Sequence, residues 1–157
     1  MLRKLDLEDM DAAAMMRRVA FDHALPWLAG LHTPEEDRQF FRTRLFRACE
    51  VWGAADGAEL LGIITFREGW IDQLYVLPTA QRRGIGTALL AVAQDRFARL
   101  QLWTFQRNAR ARQFYESRGF VLVEETDGSR NEEREPDARY LWSPSPHSLH
   151  NGEREMS

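Results

Sequence analysis

Apolar and polar residues change period repeatedly along the chain, and each change predicts an element. Residues 2–7 alternate closely enough for a first strand. Asp9 or Asp11 can cap a helix running to Phe21, with Ala13, Met16, Val19 and Ala20 near one face. From Asp22 to Thr33 the period breaks into an apolar loop with Pro26 and Gly30 as breakers, and a loop this apolar needs something to cover it. Thr33-Pro34-Glu35-Glu36 supplies a cap, a proline at the first helical position and early acids, and Phe40, Phe41, Leu45 and Phe46 continue that helix inward. Val51-Trp52 and Leu60 to Phe66 flank Asp56-Gly57 as a β-hairpin. Glu68-Gly69 turns the chain again into Trp70 to Leu77, which makes three consecutive antiparallel strands.

Pro78 ends the third strand of that group, and a glycine turn opens a helix to about Arg99 with Ile85, Leu89, Val92, Ala93 and Phe97 on a broad apolar face. Leu100 to Phe105 is a short bulky strand, most simply parallel to Trp70 to Leu77 because it follows a strand-turn-helix unit. Asn108 caps the next helix, Ala111, Phe114 and Tyr115 share one side of it, and Gly119 stops it. Phe120 to Glu124 returns as a strand, Asp127 to Asp137 is a polar, exposed connection, and Ala138 to Trp142 is the last strand. The organisation expected is one domain over 1–143 and a disordered tail over 144–157.

A chain of 157 residues, 44% of them hydrophobic, suffices for one domain with a real core. A formal net charge of −3 argues against a dedicated nucleic-acid partner, whose phosphates favour a positive surplus. Cys49 is the single cysteine, so no internal disulfide or thiolate cluster can form; a structural thiol and a cytoplasmic location are expected. No stretch approaches the roughly 20 apolar residues of a spanning helix, so no membrane partner is expected. The four histidines lack paired helical spacing, and no metal site is expected.

The stretch from Gln81 to Leu90 carries the first chemical signal. A helix N-terminus leaves backbone N–H groups unpaired beside a partial positive charge, and Gly84 and Gly86 allow an anion to come close. Leu89 stands where a dinucleotide fingerprint needs its third glycine, and no lysine followed by Ser or Thr makes a nucleotide P-loop. A pyrophosphate cradle assisted by Arg82 and Arg83 remains, beside the alternative of an ordinary strand-to-helix turn.

Gln81-x-x-Gly84-x-Gly86, followed downstream by Asn108 and by Phe114-Tyr115-Glu116-x-x-Gly119-Phe120, resembles the GNAT family of acyl-CoA-dependent N-acyltransferases. The element order from about residue 2 to 142 is similar too. The resemblance implies an α/β fold: a central mixed, mostly antiparallel sheet of about six to seven strands flanked by about four helices. It also implies acetyl-CoA as acyl donor and cosubstrate, with an amine acceptor.

By the same resemblance, the backbone of Arg82, Arg83, Gly84, Ile85, Gly86 and Thr87, with Gln81 leading in, would hold the CoA pyrophosphate. Leu74, Tyr75 and Val76 would pair with the pantetheine arm like an added strand, the acetyl carbonyl lying near Val76. Asn108 would touch that arm, and Tyr115 would sit near the thioester sulfur. A phenol, with an unperturbed pKa of about 10, is protonated at neutral pH and can give its proton to a departing thiolate. Side chains at 70, 72, 74 and 76 share one face of the third hairpin strand, which makes Asp72 the candidate base, acting directly or through water, ahead of Glu68 nearer the turn.

In this fold the loop between the first two helices borders the acceptor, so His23, Trp27 and His32 are candidate lining residues, together with Trp70. The acidic run from Glu132 to Asp137 could draw a cationic amine, although charge runs are usually solvated faces. Trp142 and the 22–33 loop leave room for a homodimer contact. The activity expected is direct transfer of acetyl to a primary amine of a small molecule or protein in a ternary complex; the alternative is a non-catalytic acyl-CoA sensor or interaction domain of the same fold.

Overall fold

The computed structural model describes residues 1–144. The tail expected over 144–157 therefore lies, from residue 145 onward, outside the described residues. Contacts divide the chain into two compact units, Met1–Arg96 and a second that begins at Phe97.

The first unit holds strands β1 (Leu2–Lys4), β2 (Glu50–Asp56), β3 (Glu59–Arg67) and β4 (Trp70–Val76), with helices α1 (Met10–Ala24), α2 (Pro34–Phe40) and α3 (Ile85–Arg96). The strands pair antiparallel in chain order. Both hairpins form where the turn residues predict them. Asp56 stands opposite Glu59 around Gly57 at φ +60°, and Arg67 stands opposite Trp70 around Gly69 at φ +78°. Glycine reaches these angles without the Cβ clash that other residues meet.

Asp9, one of the two expected caps, holds the N-cap position of α1 but makes no side-chain cap bond there. The side-chain cap lies one turn earlier: Asp6 accepts from Glu8 N at 3.1 Å, while Asp9 Oδ2 accepts from Asp6 N at 3.0 Å. This closes a capping box on a 3-10 turn, Leu7–Asp9, that leads into the helix. At its other end α1 runs three residues past Phe21, into the segment expected as loop, where a further 3-10 turn covers Pro26–Leu28. Met10, Ala13, Ala14, Met16, Ala20 and Phe21 form the buried stripe; Val19, expected inside, stands off that stripe and is exposed.

Thr33 and Glu36 make the predicted capping box of α2. After Phe40 the helix widens into a π-helical turn, Phe41–Leu45, and closes with Phe46–Ala48. Phe41 and Leu45 turn inward, whereas Phe40 is exposed. The core joins Leu5, the α1 stripe, Phe41, Leu45, Val51, Leu60 and Ile63, with Tyr75 and Cys49 packed against it. The helix α3 lies on β3 and β4 and ends at Arg96 rather than Arg99.

The second unit holds β5 (Leu100–Phe105), α4 (Ala109–Glu116), β6 (Val121–Thr126) and β7 (Asp137–Trp142). The last strand is central, antiparallel to β5 on one side and to β6 on the other. Its Ala138 and Tyr140, with Leu100 and Leu102 of β5, are fully buried. The 127–136 connection is anchored rather than freely exposed. Asn131 Nδ2 donates to Glu135 O at 2.7 Å, Glu135 N donates to Asn131 Oδ1 at 3.2 Å, and Gln106 N donates to Pro136 O at 2.9 Å. Gly128, at φ +82°, is buried against the Glu135 backbone, where no Cβ would fit. Among the described residues no helix is long and apolar enough to cross a membrane.

Candidate active site

The glycine turn grows from the end of β4. Leu77 N donates to Leu61 O at 2.8 Å, a 3-10 turn spans Pro78–Ala80 with Ala80 buried beneath it, and Gln81 Nε2 donates back to Val76 O at 3.4 Å. Arg82 and Gly84 then both take left-handed backbone angles, φ +70° and +77°, on either side of Arg83. Such alternation turns successive N–H groups toward one point, the geometry of an anion nest, and a non-glycine residue held there is strained.

Helix α3 follows at once, its bond from Ala88 N to Gly84 O measuring 3.0 Å. A Cβ at Gly84 would meet nothing within 4 Å, so the position demands glycine for its angle and leaves the space above it open. Gly86, inside the first helical turn, has no positive φ and contributes room alone. Arg82 and Arg83 are exposed, and among the described residues neither has a carboxylate partner.

Strand β4 departs from simple alternation. Val76, Tyr75, Leu74 and Gln73 stand opposite Gly62, Ile63, Ile64 and Thr65 in turn, and then Ile71 stands opposite Phe66. Asp72 is the extra residue of a β-bulge, a device that re-aims a side chain. The expected common face of 70, 72, 74 and 76 is therefore broken.

Asp72 instead meets Cys49, which packs with Tyr75 against the α1 core. Its Oδ2 accepts from Cys49 Sγ at 3.0 Å and from Arg67 Nε at 2.9 Å, and its Oδ1 from Arg67 Nη2 at 3.2 Å. Burial first, and then the bond to Asp72, push the Cys49 thiol up to about 12.

Beside the bulge, the Tyr75 ring meets Phe21 of α1 edge-on at 6.3 Å between centroids. Arg17 lies over both rings, 4.2 Å from Phe21 and 5.5 Å from Tyr75. The sequence shows Arg17 only as one of two adjacent arginines on α1, and no periodic signal distinguishes it.

The expected acceptor residues do not all come together. His23 is exposed near the end of α1, Trp27 is exposed in the Pro26–Leu28 turn, and His32 is half-buried with Nδ1 3.9 Å from Glu36 Oε1. Arg18 ties this segment down, donating to His32 O at 2.8 Å and to Asp37 Oδ2 at 2.9 Å. Trp70 starts β4 five residues from Tyr75, roughly 17 Å away along the strand, with Arg67 5.4 Å from its ring. The acidic run is not a uniformly solvated face either: Glu135 is buried and pairs with Arg107 at 3.8 Å.

In the second unit Asn108 caps α4, accepting from Ala111 N at 3.1 Å, and Gly119 ends the segment at φ +89°. Tyr115 is buried, edge-on to Phe114 at 5.2 Å and to Phe120 at 5.3 Å. Its carbonyl accepts from Arg118 N at 3.0 Å and Phe120 N at 3.1 Å, so the helix end fixes the ring's position. Tyr140, absent from the sequence expectations, donates its hydroxyl to Glu116 and accepts from Arg112 Nε at 2.9 Å, a part-buried pair of bonds that ties α4 to β7.

The sequence profile of the acetyltransferase (GNAT) family matches residues 16–120. A peptidyl-lysine N-acetyltransferase of Escherichia coli, YiaC, is 38% identical over 74 residues, covering 46% of this chain and 51% of that protein. The chain thus matches about half the length of this curated relative. The solution structure of apo YjaB from Escherichia coli superposes with a TM-score of 0.76 at 17% identity, covering 92% of this chain and 98% of that one. The PaiA N-acetyltransferase of Thermoplasma acidophilum, solved with coenzyme A, gives 0.68 at 20% identity over 92% and 98%. A glycine turn with paired left-handed residues, the strand that leads into it, and a profile spanning both stretches converge: this chain has the GNAT α/β fold and belongs to the GNAT acetyltransferase family.

Proposed function

We propose that the chain is an acetyl-CoA-dependent N-acetyltransferase that passes the acetyl group directly to a primary amine in a ternary complex. The observation that carries this reading is the Arg82–Gly84 nest at the N-terminus of α3, open above Gly84 and flanked by two arginines without carboxylate partners. Backbone donors, a helix terminus and two cations together suit a pyrophosphate. The YiaC relative is named for peptidyl-lysine, so a protein amine joins small primary amines among the acceptors.

Acetyl-CoA supplies the acyl group and a thiolate leaving group. Residues Gln81 to Thr87 would hold its pyrophosphate, Leu74 to Val76 and Asn108 its pantetheine arm. The Tyr115 phenol would protonate the departing thiolate, and the Asp72 carboxylate would take a proton from the amine. His23, Trp27, His32 and Trp70 are the acceptor-side candidates. A reducing cytoplasm suits a chain whose single cysteine stands as a free thiol.

One observation favours the second reading, an acyl-CoA sensor: the Asp72 carboxylate is already engaged by Arg67 and Cys49. An amine panel with free CoA as readout separates the two. Amine-dependent CoA release that Gly84→Glu abolishes supports the enzyme, because an anionic side chain in the nest repels pyrophosphate. Acetyl-CoA binding without release from any amine supports the sensor.

A further inference from the structure

The side of β4 that faces α1 carries polar atoms that acetyl transfer leaves unused. Arg18 of α1, Arg38 of α2 and Arg42 of the π-helical turn after it are each ion-paired, to Asp37, Glu35 and Asp11. Arg17 is held by the Phe21 and Tyr75 rings alone, and among the described residues no carboxylate pairs with it. Its Nε is buried and makes no hydrogen bond, while the residue as a whole is half-buried. Two residues before Tyr75, on the same side of the strand, Gln73 Oε1 is also buried with no donor. One orphan is a donor on a cation and the other an acceptor. Buried polar groups are ordinarily satisfied, and such exceptions need an explanation.

We propose that Arg17 binds the carboxylate of an amino-acid-type acceptor, with Gln73 Oε1 receiving an N–H of the same molecule. The inference rests on the acetyltransferase reading, which places the acetyl carbonyl near Val76, the residue after Tyr75. The Phe21 and Tyr75 rings lie against the guanidinium, and a planar fork so placed suits a bidentate carboxylate. A neutral or purely cationic amine would leave that cation unanswered. Arg17 would thus choose among amines by what they carry beside the reacting nitrogen.

The test is calorimetric titration of the whole chain, in the presence of CoA, with two matched pairs: L-lysine against 1,5-diaminopentane, and L-phenylalanine against phenethylamine. In at least one pair the amino acid should bind the wild type about tenfold tighter than its decarboxylated partner. Arg17→Met should erase that advantage, and Arg17→Lys, which keeps the charge without the fork, should retain part of it. Circular dichroism confirms that each variant is folded, and the wild-type comparison decides the matter even if one is not. Equal or weaker binding of both amino acids, no binding of either, or an advantage that survives in Arg17→Met overturns the proposal. Binding preference does not depend on turnover, so failure of the acetyltransferase reading appears separately, as no CoA release from any amine.

Discussion

Gly62 of β3 lies directly beneath Leu89 of α3: a Cβ built on Gly62 would stand 3.1 Å from Leu89 Cδ1 and 3.1 Å from Ile85 Cγ2. The Tyr75 carbonyl oxygen, also at 3.1 Å, is backbone and cannot give way as a side chain can. Gly62→Ala should therefore lower stability by about 1–3 kcal/mol, as overpacking does. Because Ile85 opens the helix that follows the glycine turn, acetyl-CoA affinity should fall with it. Thermal melting and an acetyl-CoA titration check both, and an unchanged melting point would show that the close approach is dispensable.

Tyr115→Phe removes the phenol and keeps the ring against Phe114 and Phe120. Turnover should fall about 100-fold or more, the range for a lost general acid, with stability changed by no more than about 1 kcal/mol. Steady-state kinetics beside a urea melt separate the two effects; unaltered turnover removes Tyr115 from the chemistry.

The two partners of the Arg67–Asp72 pair should respond differently. Asp72→Asn deletes the candidate base and should flatten the pH profile of kcat/KM. Arg67→Ala leaves the carboxylate in place and releases it from a bidentate clamp, so activity should persist or rise. Profiles of wild type and Asp72→Asn that superimpose would move the base to a water chain.

Asp9 gives a prediction in acid. The hydrogen bond from Arg3, aided by the Asp6 amide, holds its carboxyl well below the usual range, at about 2. A lowered pKa means that the native state favours the ionised form. The stabilisation is present above the unfolded pKa of about 3.9 and is lost as pH falls through about 2. Arg3 is half exposed, so solvent screening keeps the effect to about 1 kcal/mol or less. Urea midpoints of wild type and Asp9→Asn should differ at pH 7 and converge near pH 2.

Features carried by local chemistry were legible in the sequence. Asp56-Gly57 and Glu68-Gly69 announce their hairpins, Thr33 with Glu36 its helix, and Asn108 with Gly119 both ends of α4, because turn and cap preferences act within a few residues. The glycine nest was legible for the same reason.

Other features depend on partners far along the chain. The Asp72 bulge exists only in register with Thr65 and Phe66 of β3, and a run of seven residues gives no hint of it. Glu135 looks like surface until Gly128, Asn131 and Arg107 surround it. The position of Arg17 comes from Tyr75, 58 residues later. Val19 and Phe40 show the limit of periodicity: a helix face is apolar only as far as another element covers it.

The thiol of Cys49 has a practical consequence. A thiol pushed up to about 12 stays almost wholly protonated at pH 8, and only the thiolate attacks an aromatic disulfide reagent. Since the chain has no other cysteine, the colour developed during turnover would come almost wholly from released CoA. Even stoichiometric amounts of protein could then be assayed continuously, so slow acceptors and crippled variants can be ranked in single-turnover experiments without first masking the enzyme.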